Sequence, residues 1–228
     1  MLGPEECKKR NLRVYNYKQV LRYSFGLPAR LLGESDFVHA VAEEKHAAAV
    51  YTQNVDGVRA KKAYFFDENA VYLLGAAIDS DSPYPVATTV NVARKNGNVI
   101  KGADWGWHDG IGYKGARLQI AEGVRSGDWG IVSGGLAKPA PFSAELFSVG
   151  VEHGIGVKGG SYAVAVLPGA SPEETARFEL RILANTPSLQ AVQFADGTAG
   201  AVFHEAGKLG SFETKEPGVF LIPAENLK

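Results

Sequence analysis

Apolar and polar residues alternate along most of the chain from residue 36 onward, with short apolar runs between the alternating stretches. A period of two is typical of a half-buried β-strand, and a short apolar run between turn residues is typical of a fully buried one. The pattern predicts strands at 36–42, 46–53, 59–66, 70–78, 85–93, 145–153, 161–168, 189–195, 200–205 and 218–223. Short strands separated by turn residues predict an all-β fold, an antiparallel sandwich.

One turn has a specific local signature. Asn96-Gly97 follows the strand predicted at 85–93, and both residue types tolerate the positive φ of a type I′ turn. The pair therefore predicts a β-hairpin at this point.

One short helix interrupts the strands. In "SPEETARFEL" (171–180), Ser171 is a good N-cap, Pro172 suits the first helical position and Glu174 completes a capping box. This predicts a helix near 171–182.

The alternation becomes regular near residue 33, which predicts a basic N-terminal segment at 1–32 and a β-domain at 33–228.

Charge and composition narrow the partners. The net charge is −1, which argues against nucleic acid as a partner. Residues 1–30 hold seven basic side chains against two acidic ones, a bias that fits a solvated terminus better than a polyanion site. No stretch approaches ~18 consecutive apolar residues and none resembles a signal peptide, so we expect no membrane span and no export signal in this chain.

Motifs for metals and cofactors are absent from the sequence. Cys7 is the single cysteine, and the five histidines form no closely spaced pair. Motifs for phosphate or dinucleotide binding are also missing. We therefore expect no metal site and no cofactor.

The stretch "GADWGWHDGIGY" (102–113) holds the main candidate binding residues. Trp105 and Trp107 are two apart, so on a strand both face the same side, either into the core or outward, where their rings could stack on sugars. His108 lies beside them, next to Asp109. The glycines predict a bent or bulged strand.

Basic residues supply a second set of candidates. Arg94 and Lys95 lie next to the predicted hairpin and could contact a carboxylated or sulfated sugar, or could simply be solvated. Lys61 and Lys62 fall on opposite sides of one strand. This predicts one lysine at the solvent face and the other at the strand edge or paired with an acid.

Several stretches, taken in order, resemble the β-domain of polysaccharide lyase family 8, which contains hyaluronate, chondroitin and xanthan lyases. These stretches are "AKKAYFFDENAVYLLGAAI" (60–78), "ATTVNVAR" (87–94), "WHDGIGY" (107–113), "GDWGIV" (127–132), "VEHG" (151–154), "SYAVAVLPGAS" (161–171) and "ILANTPSLQAVQF" (182–194). The resemblance covers about residues 33–225. The stretch "VYNYKQVLRYSFGLP" (14–28) does not fit the family pattern well.

The resemblance implies an antiparallel super-sandwich, similar to galactose mutarotase-like β-domains. It also implies β-elimination at a uronic acid by the full-length enzymes, an acidic polysaccharide as partner, and an extracellular or periplasmic location. The family's catalytic asparagine, histidine, tyrosine and arginine lie on a helical domain with no matching positions here. We therefore expect no catalytic residue in this chain, which would act with a helical catalytic domain or partner chain.

Alternatives stay open. The chain could be a stand-alone, non-catalytic carbohydrate-binding module that uses Trp105, Trp107, His108, Arg94 and Lys95. It could also be a structural β-domain that packs on a helical partner. Epimerase chemistry on a mutarotase-like sandwich is a further alternative, for which His108 and His153 are the available bases.

Overall fold

The structure, a computed structural model, describes residues 35–55, 57–128, 138 and 140–228. The predicted basic segment 1–32, Cys7 and most of the stretch 127–132 lie outside the described residues. The strands are β1 Val38–Ala42, β2 Ala47–Val55, β3 Val58–Phe66, β4 Val71–Ser80, β5 Val86–Arg94, β6 Val99–Lys101, β7 Trp105–His108, β8 Ile111–Gly115, β9 Gln119–Asp128, β10 Pro141–Gly154, β11 Gly160–Pro168, β12 Ile182–Asn185, β13 Leu189–Gln193, β14 Ala199–Phe203, β15 Gly207–Leu209, β16 Phe212–Thr214 and β17 Gly218–Ile222.

The strands form antiparallel sheets stacked in layers. The central sheet has eight strands in the order β1-β2-β3-β4-β11-β8-β7-β6. A three-stranded sheet, β5-β10-β9, and a C-terminal sheet, β12-β13-β14-β17, lie beside it, and β15-β16 form a small hairpin. The all-β, antiparallel prediction is confirmed.

The two smaller sheets cover opposite faces of the central sheet. Ala165 of β11 belongs to a core cluster with Val192 and Phe194 of the C-terminal part of the chain. Its neighbour Val164 belongs to a different cluster, with Val151 of β10. Because successive strand residues point to opposite faces, the central sheet is the middle layer of a three-layer sandwich.

The three-stranded sheet does not reach the whole central sheet. Its core contacts are with β4, β11, β8, β7 and β6, together with Ala60 at the start of β3. The same face of β2 and of the rest of β3 is not covered by any described element. This step between the layers shapes the surface considered below.

The predicted helix is confirmed in place but is shorter than expected. Helix α1 spans Pro172–Arg177, and the Ser171 hydroxyl accepts a hydrogen bond from the Glu174 N–H as the capping box requires. The chain leaves the helix at Phe178, which has φ −59° and ψ 131°. Phe178, Leu180 and Ile182 then pack onto the core cluster with the spacing of an extended chain, not of a helix.

The hairpin predicted at Asn96-Gly97 is wrong. Gly97 has a positive φ of 71°, but Asn96 does not. Strand β5 pairs with β10, whereas β6 pairs with β7, so the segment between them crosses from one sheet to another. The Asn96 N–H donates to His108 Nε2 at 2.9 Å and holds this crossing in place.

Candidate functional site

The two tryptophans lie on a tight hairpin formed by β7 and β8. His108 pairs with Ile111, and the two residues between them, Asp109 and Gly110, have positive φ values of 49° and 77°. That combination is the two-residue turn that the twist of a hairpin favours. The hairpin therefore lies at Asp-Gly and not at Asn-Gly.

Trp105 and Trp107 share one face of the hairpin, as predicted. Trp107 Nε1 donates to the Ala170 carbonyl at 2.7 Å, which fixes its ring against the segment that leads into α1. The Trp105 ring lies over Gly102, where any Cβ would collide with the indole. Both rings are half-buried, so each serves packing and also leaves part of its surface to solvent.

A lysine and an aspartate lie beside the two tryptophans. We call the four residues together, Trp105, Trp107, Lys114 and Asp104, the tryptophan surface. Lys114 lies opposite Trp105 across the hairpin and donates to Asp104 Oδ1 at 3.1 Å and to the Ala176 carbonyl at 3.1 Å. Its ammonium is therefore already held by protein oxygens. The surface can offer an aromatic plane to a sugar, but its charge is locally neutral.

His108 lies on the other side of the hairpin and is only 2% exposed. Its ring stacks on Phe147, with centroids 4.3 Å apart, and its Nε2 is occupied by the Asn96 N–H. Its side chain is part of the packing between two layers, and its Nε2 atom is taken by the Asn96 N–H.

Arg94 and Lys95 lie with the three-stranded sheet, on the face of the central sheet opposite the tryptophans. Lys95 is held between Glu122, at 2.9 Å, and Glu145, at 3.0 Å. These hydrogen bonds raise the pKa of Lys95, and the bond from Lys95 lowers the pKa of Glu122. Arg94 is exposed and forms no ion pair with any described residue. The five candidate sugar contacts thus do not form a single site.

A second cluster lies where the three-stranded sheet stops and the central sheet continues. We call it the phenol–lysine corner: Tyr51, Lys62, Tyr64, His153 and Tyr162. Tyr51 pairs directly with Lys62 across β2 and β3, and Lys62 pairs with Gly75. The Tyr162 ring lies over Gly75, where a Cβ would collide with it. Lys62 and Tyr162 therefore meet above the same glycine.

His153 forms the wall of this corner. Its ring lies 6.0 Å from that of Tyr162, and its Nε2 is 2.9 Å from the Thr88 hydroxyl. Burial, and then the positive charges of Arg117 and Lys62, lower the pKa of His153, whereas Glu152 opposes the shift. The corner therefore has a positive electrostatic environment.

Lys61 and Lys62 do point to opposite faces, but neither forms an ion pair with an acid in the described part of the chain. Lys61 Nζ donates to the Pro187 carbonyl at 2.6 Å, on the side of the C-terminal sheet. Lys62 is half-buried and has no carboxylate partner among the described residues. Burial lowers its pKa. The alternation of the two lysines is evident from the sequence, but the side that lacks a covering layer is not.

The two candidate bases for epimerase chemistry are far apart. His108 packs on Phe147, and His153 lies six residues further along β10 from Phe147. A strand of that length spans roughly 20 Å, too far for two groups that act on one sugar ring. In the described part of the chain, no group of three or more histidine, cysteine, aspartate or glutamate side chains is arranged to hold a metal ion.

The comparisons with known proteins agree with this fold. The family model of the polysaccharide lyase family 8 super-sandwich domain matches residues 26–179, and that of the family's C-terminal β-sandwich domain matches residues 181–226. This chain belongs to polysaccharide lyase family 8. The two models meet at residue 180, inside the range 33–228 that the sequence pattern treats as one domain.

Individual relatives give the same assignment. Chondroitinase-AC of Pedobacter heparinus is 33% identical over 224 residues, which cover 86% of this chain and 32% of that protein. Hyaluronate lyase of Thermasporomyces composti is 27% identical over 195 residues, which cover 72% of this chain and 25% of that protein. The chain thus spans a quarter to a third of the length of these curated relatives.

A solved structure extends the agreement to three dimensions. A chondroitinase AC lyase, studied as enzyme–oligosaccharide complexes, superposes with a TM-score of 0.77 at 32% identity, covering 85% of this chain and 33% of that one. The super-sandwich architecture of this family 8 chain is therefore established. Within the described residues, no helix is both long enough and apolar enough to cross a membrane.

Proposed function

We propose that this chain is the β-part of a lyase that cleaves an acidic polysaccharide by β-elimination at a uronic acid, and that it forms one wall of the glycan cleft. The observation that carries the proposal is the match of two family 8 domain models in succession, over residues 26–226. The names of the relatives, a chondroitinase and a hyaluronate lyase, support an acidic polysaccharide as substrate. We infer an extracellular or periplasmic site of action on the same grounds.

The reaction needs groups that the described residues do not bring together. The uronate carboxylate must be neutralised, a base must remove the C5 proton, and an acid must protonate the leaving oxygen, each within hydrogen-bond reach. The His108 side chain is buried between two sheets, and the Nε2 atom of His153 is hydrogen-bonded to the Thr88 hydroxyl. We therefore infer that base and acid come from a helical catalytic domain, on the same polypeptide or on a partner chain, while this β-part contacts the polysaccharide.

The test compares this chain with a form that also contains the helical domain. Both are incubated with chondroitin, hyaluronan and xanthan, and the ultraviolet absorbance of the unsaturated uronate product is followed. We expect product from the longer form and none from this chain alone. Product from this chain alone would contradict the division of labour. A longer form inactive on all three polymers would contradict the lyase assignment.

A stand-alone carbohydrate-binding module is the second candidate, because the Trp105 and Trp107 rings are only half-buried. It predicts that this chain binds neutral glycans as well as acidic ones, since the tryptophan surface is locally neutral. Trp105→Ala should then abolish binding and leave the fold intact. A chain that binds acidic polymers only, with Trp105→Ala unchanged, would exclude this candidate.

A further inference from the structure

The phenol–lysine corner differs from the surfaces around Lys95, Lys114 and Lys158 because its lysine is half-buried and has no anionic partner among the described residues. Lys95, Lys114 and Lys158 each lie within 3.1 Å of a carboxylate oxygen. Lys62 forms no ion pair with any described residue, although it is half-buried. A cation removed from water without a counter-ion costs free energy, which an incoming anion would offset.

The corner also has the shape and surface for a sugar. Its floor is the uncovered face of β2 and β3, where Tyr51, Lys62 and Tyr64 are half-buried and Phe66 is 40% exposed. Its wall is the end of β10, at His153. The Tyr51 and Tyr64 hydroxyls bond to no described residue, so both phenols present a ring and a free polar group.

The charge around the corner favours an anion. Arg117 and Lys62 both act on His153 as positive charges. Arg117 is held by a 2.9 Å bond to the Ser161 carbonyl, not by a carboxylate. Glu152 is the acidic side chain whose charge reaches His153, but it is exposed and forms no ion pair with Lys62 or Arg117.

We propose that the phenol–lysine corner binds a carboxylate or sulfate group of an acidic polysaccharide, with Lys62 as the charged contact and Tyr51 and Tyr64 against the sugar rings. The inference rests on the proposed function, whose substrate class it adopts, and it assigns the contact to residues distinct from the tryptophan surface. Lys62 is a binding residue here and takes no part in proton transfer.

The test is a titration of the full chain with hyaluronan, which carries carboxylates only, with chondroitin sulfate, which carries both groups, and with neutral dextran. We expect Lys62→Met to weaken binding of an anionic polymer about tenfold, because a charge-assisted hydrogen bond is lost. A loss with both anionic polymers identifies the carboxylate as the contact, and a loss with chondroitin sulfate alone identifies the sulfate. Lys215→Met removes an exposed lysine elsewhere and should change affinity less than about twofold.

A stability measurement separates binding from structure. Without ligand, Lys62→Met should melt at the same temperature as the parent chain or higher, because the buried charge is removed. Lys62→Gln, measured in parallel, guards against a folding defect specific to methionine.

The inference is overturned if both Lys62 variants bind like the parent chain, or if the parent chain binds neither anionic polymer more tightly than dextran. Its failure is distinguishable from failure of the proposed function. A longer form whose lyase activity is unaffected by Lys62→Met overturns the corner and leaves the lyase assignment intact. If binding of an anionic polymer depends on Lys62 but the longer form makes no unsaturated product, the lyase assignment is overturned and the corner remains as the binding site.

Discussion

His204 is a half-buried histidine at the boundary between the central and C-terminal sheets. Its Nε2 donates to Gln190 Oε1 at 3.0 Å, and its ring packs edge-on against Phe37, with centroids 5.8 Å apart. Burial, and then the positive charge of Lys61, lower its pKa to about 4, against the opposing effect of Asp36. The folded protein therefore holds this ring in its neutral form.

This environment predicts a loss of stability in mild acid. The folded pKa of His204 lies below its unfolded value of about 6.5, so the unfolded chain binds more protons between these two values. Its contribution to stability is complete above pH ~6.5 and is lost as the pH falls towards 4. Allowing for solvent screening, we expect it to fall by about 1 kcal/mol between pH 7 and pH 5.

Urea unfolding of the parent chain and of His204→Asn at the two pH values checks this. Asparagine keeps an N–H donor for Gln190 but does not titrate, so the variant should lose less stability than the parent chain. His153 and the other titrating groups are common to both proteins and cancel in the comparison. Equal losses would show that His204 is not responsible.

Helix α1 depends on its N-cap more than a longer helix would, because it spans only Pro172–Arg177. The Ser171 hydroxyl accepts from the Glu174 N–H at 3.2 Å, and Glu174 Oε2 accepts from the Ser171 N–H at 2.7 Å. Ser171→Ala should lower the free energy of unfolding by about 1 kcal/mol, as measured by urea denaturation. The matched control is Ser126→Ala on exposed β9, expected within about 0.5 kcal/mol of the parent chain. A cap variant as stable as this control would contradict the prediction.

The sequence pattern predicts the strands that have strong alternation or continuous apolar runs, such as β4 and β11. The pattern does not predict β9, because its sequence, "QIAEGVRSGD", is mostly exposed and carries charged residues and glycines. The two turn signals show the limit of local chemistry. Asn96-Gly97 has the stronger hairpin signature, but its flanking strands belong to different sheets, and the hairpin forms at Asp109-Gly110.

Local sequence pattern also predicts only part of the candidate site. Periodicity placed Trp105 and Trp107 on one face and separated Lys61 from Lys62, and both statements hold in the structure. Periodicity does not say which face another layer will cover. That depends on the three-stranded sheet, which buries His108 and stops short of Lys62. Periodicity therefore places Lys62 opposite Lys61 but does not predict the phenol–lysine corner.

A chain of side-chain amides joins the central and C-terminal sheets. Asn185 Nδ2 donates to the carbonyls of Tyr162, at 2.9 Å, and Gly75, at 3.2 Å. Gln190, fully buried, donates from Nε2 to Asn185 Oδ1 at 3.0 Å. Asn185→Leu would remove the hydrogen bonds to these two carbonyls and leave the buried Gln190 amide without this acceptor, and we expect a loss of about 3 kcal/mol in the free energy of unfolding.

The matched control for this variant is Asn98→Leu, because Asn98 is exposed and makes no side-chain hydrogen bond to a described residue. Both variants are compared with the parent chain by urea unfolding. If Asn185→Leu costs no more than Asn98→Leu, the amide chain does not hold the layers together.

The two family models meet at residue 180, but the largest core cluster is built from both sides of that boundary. Phe65 and Leu74 come from the central sheet, and Val192 and Phe194 come from the C-terminal part. His46 adds a polar link, since its Nε2 lies 2.9 Å from Asp196 of the β13–β14 turn and its ring stacks on Phe194. Neither part buries this cluster by itself, which implies a single cooperative folding unit.

Cutting the chain at this boundary tests that implication. A chain that ends at residue 180 would expose the apolar face that includes Phe65 and Leu74, and should bind a hydrophobic dye and lose the sharp urea transition of the intact protein. The matched control has the same break in the chain but retains both pieces. A protease site is placed after Leu180 and is cleaved in the folded protein. The two pieces should stay associated, because the shared core still holds them together. If the shortened chain unfolds as sharply as the intact one and binds no dye, the region up to residue 180 is an independent domain.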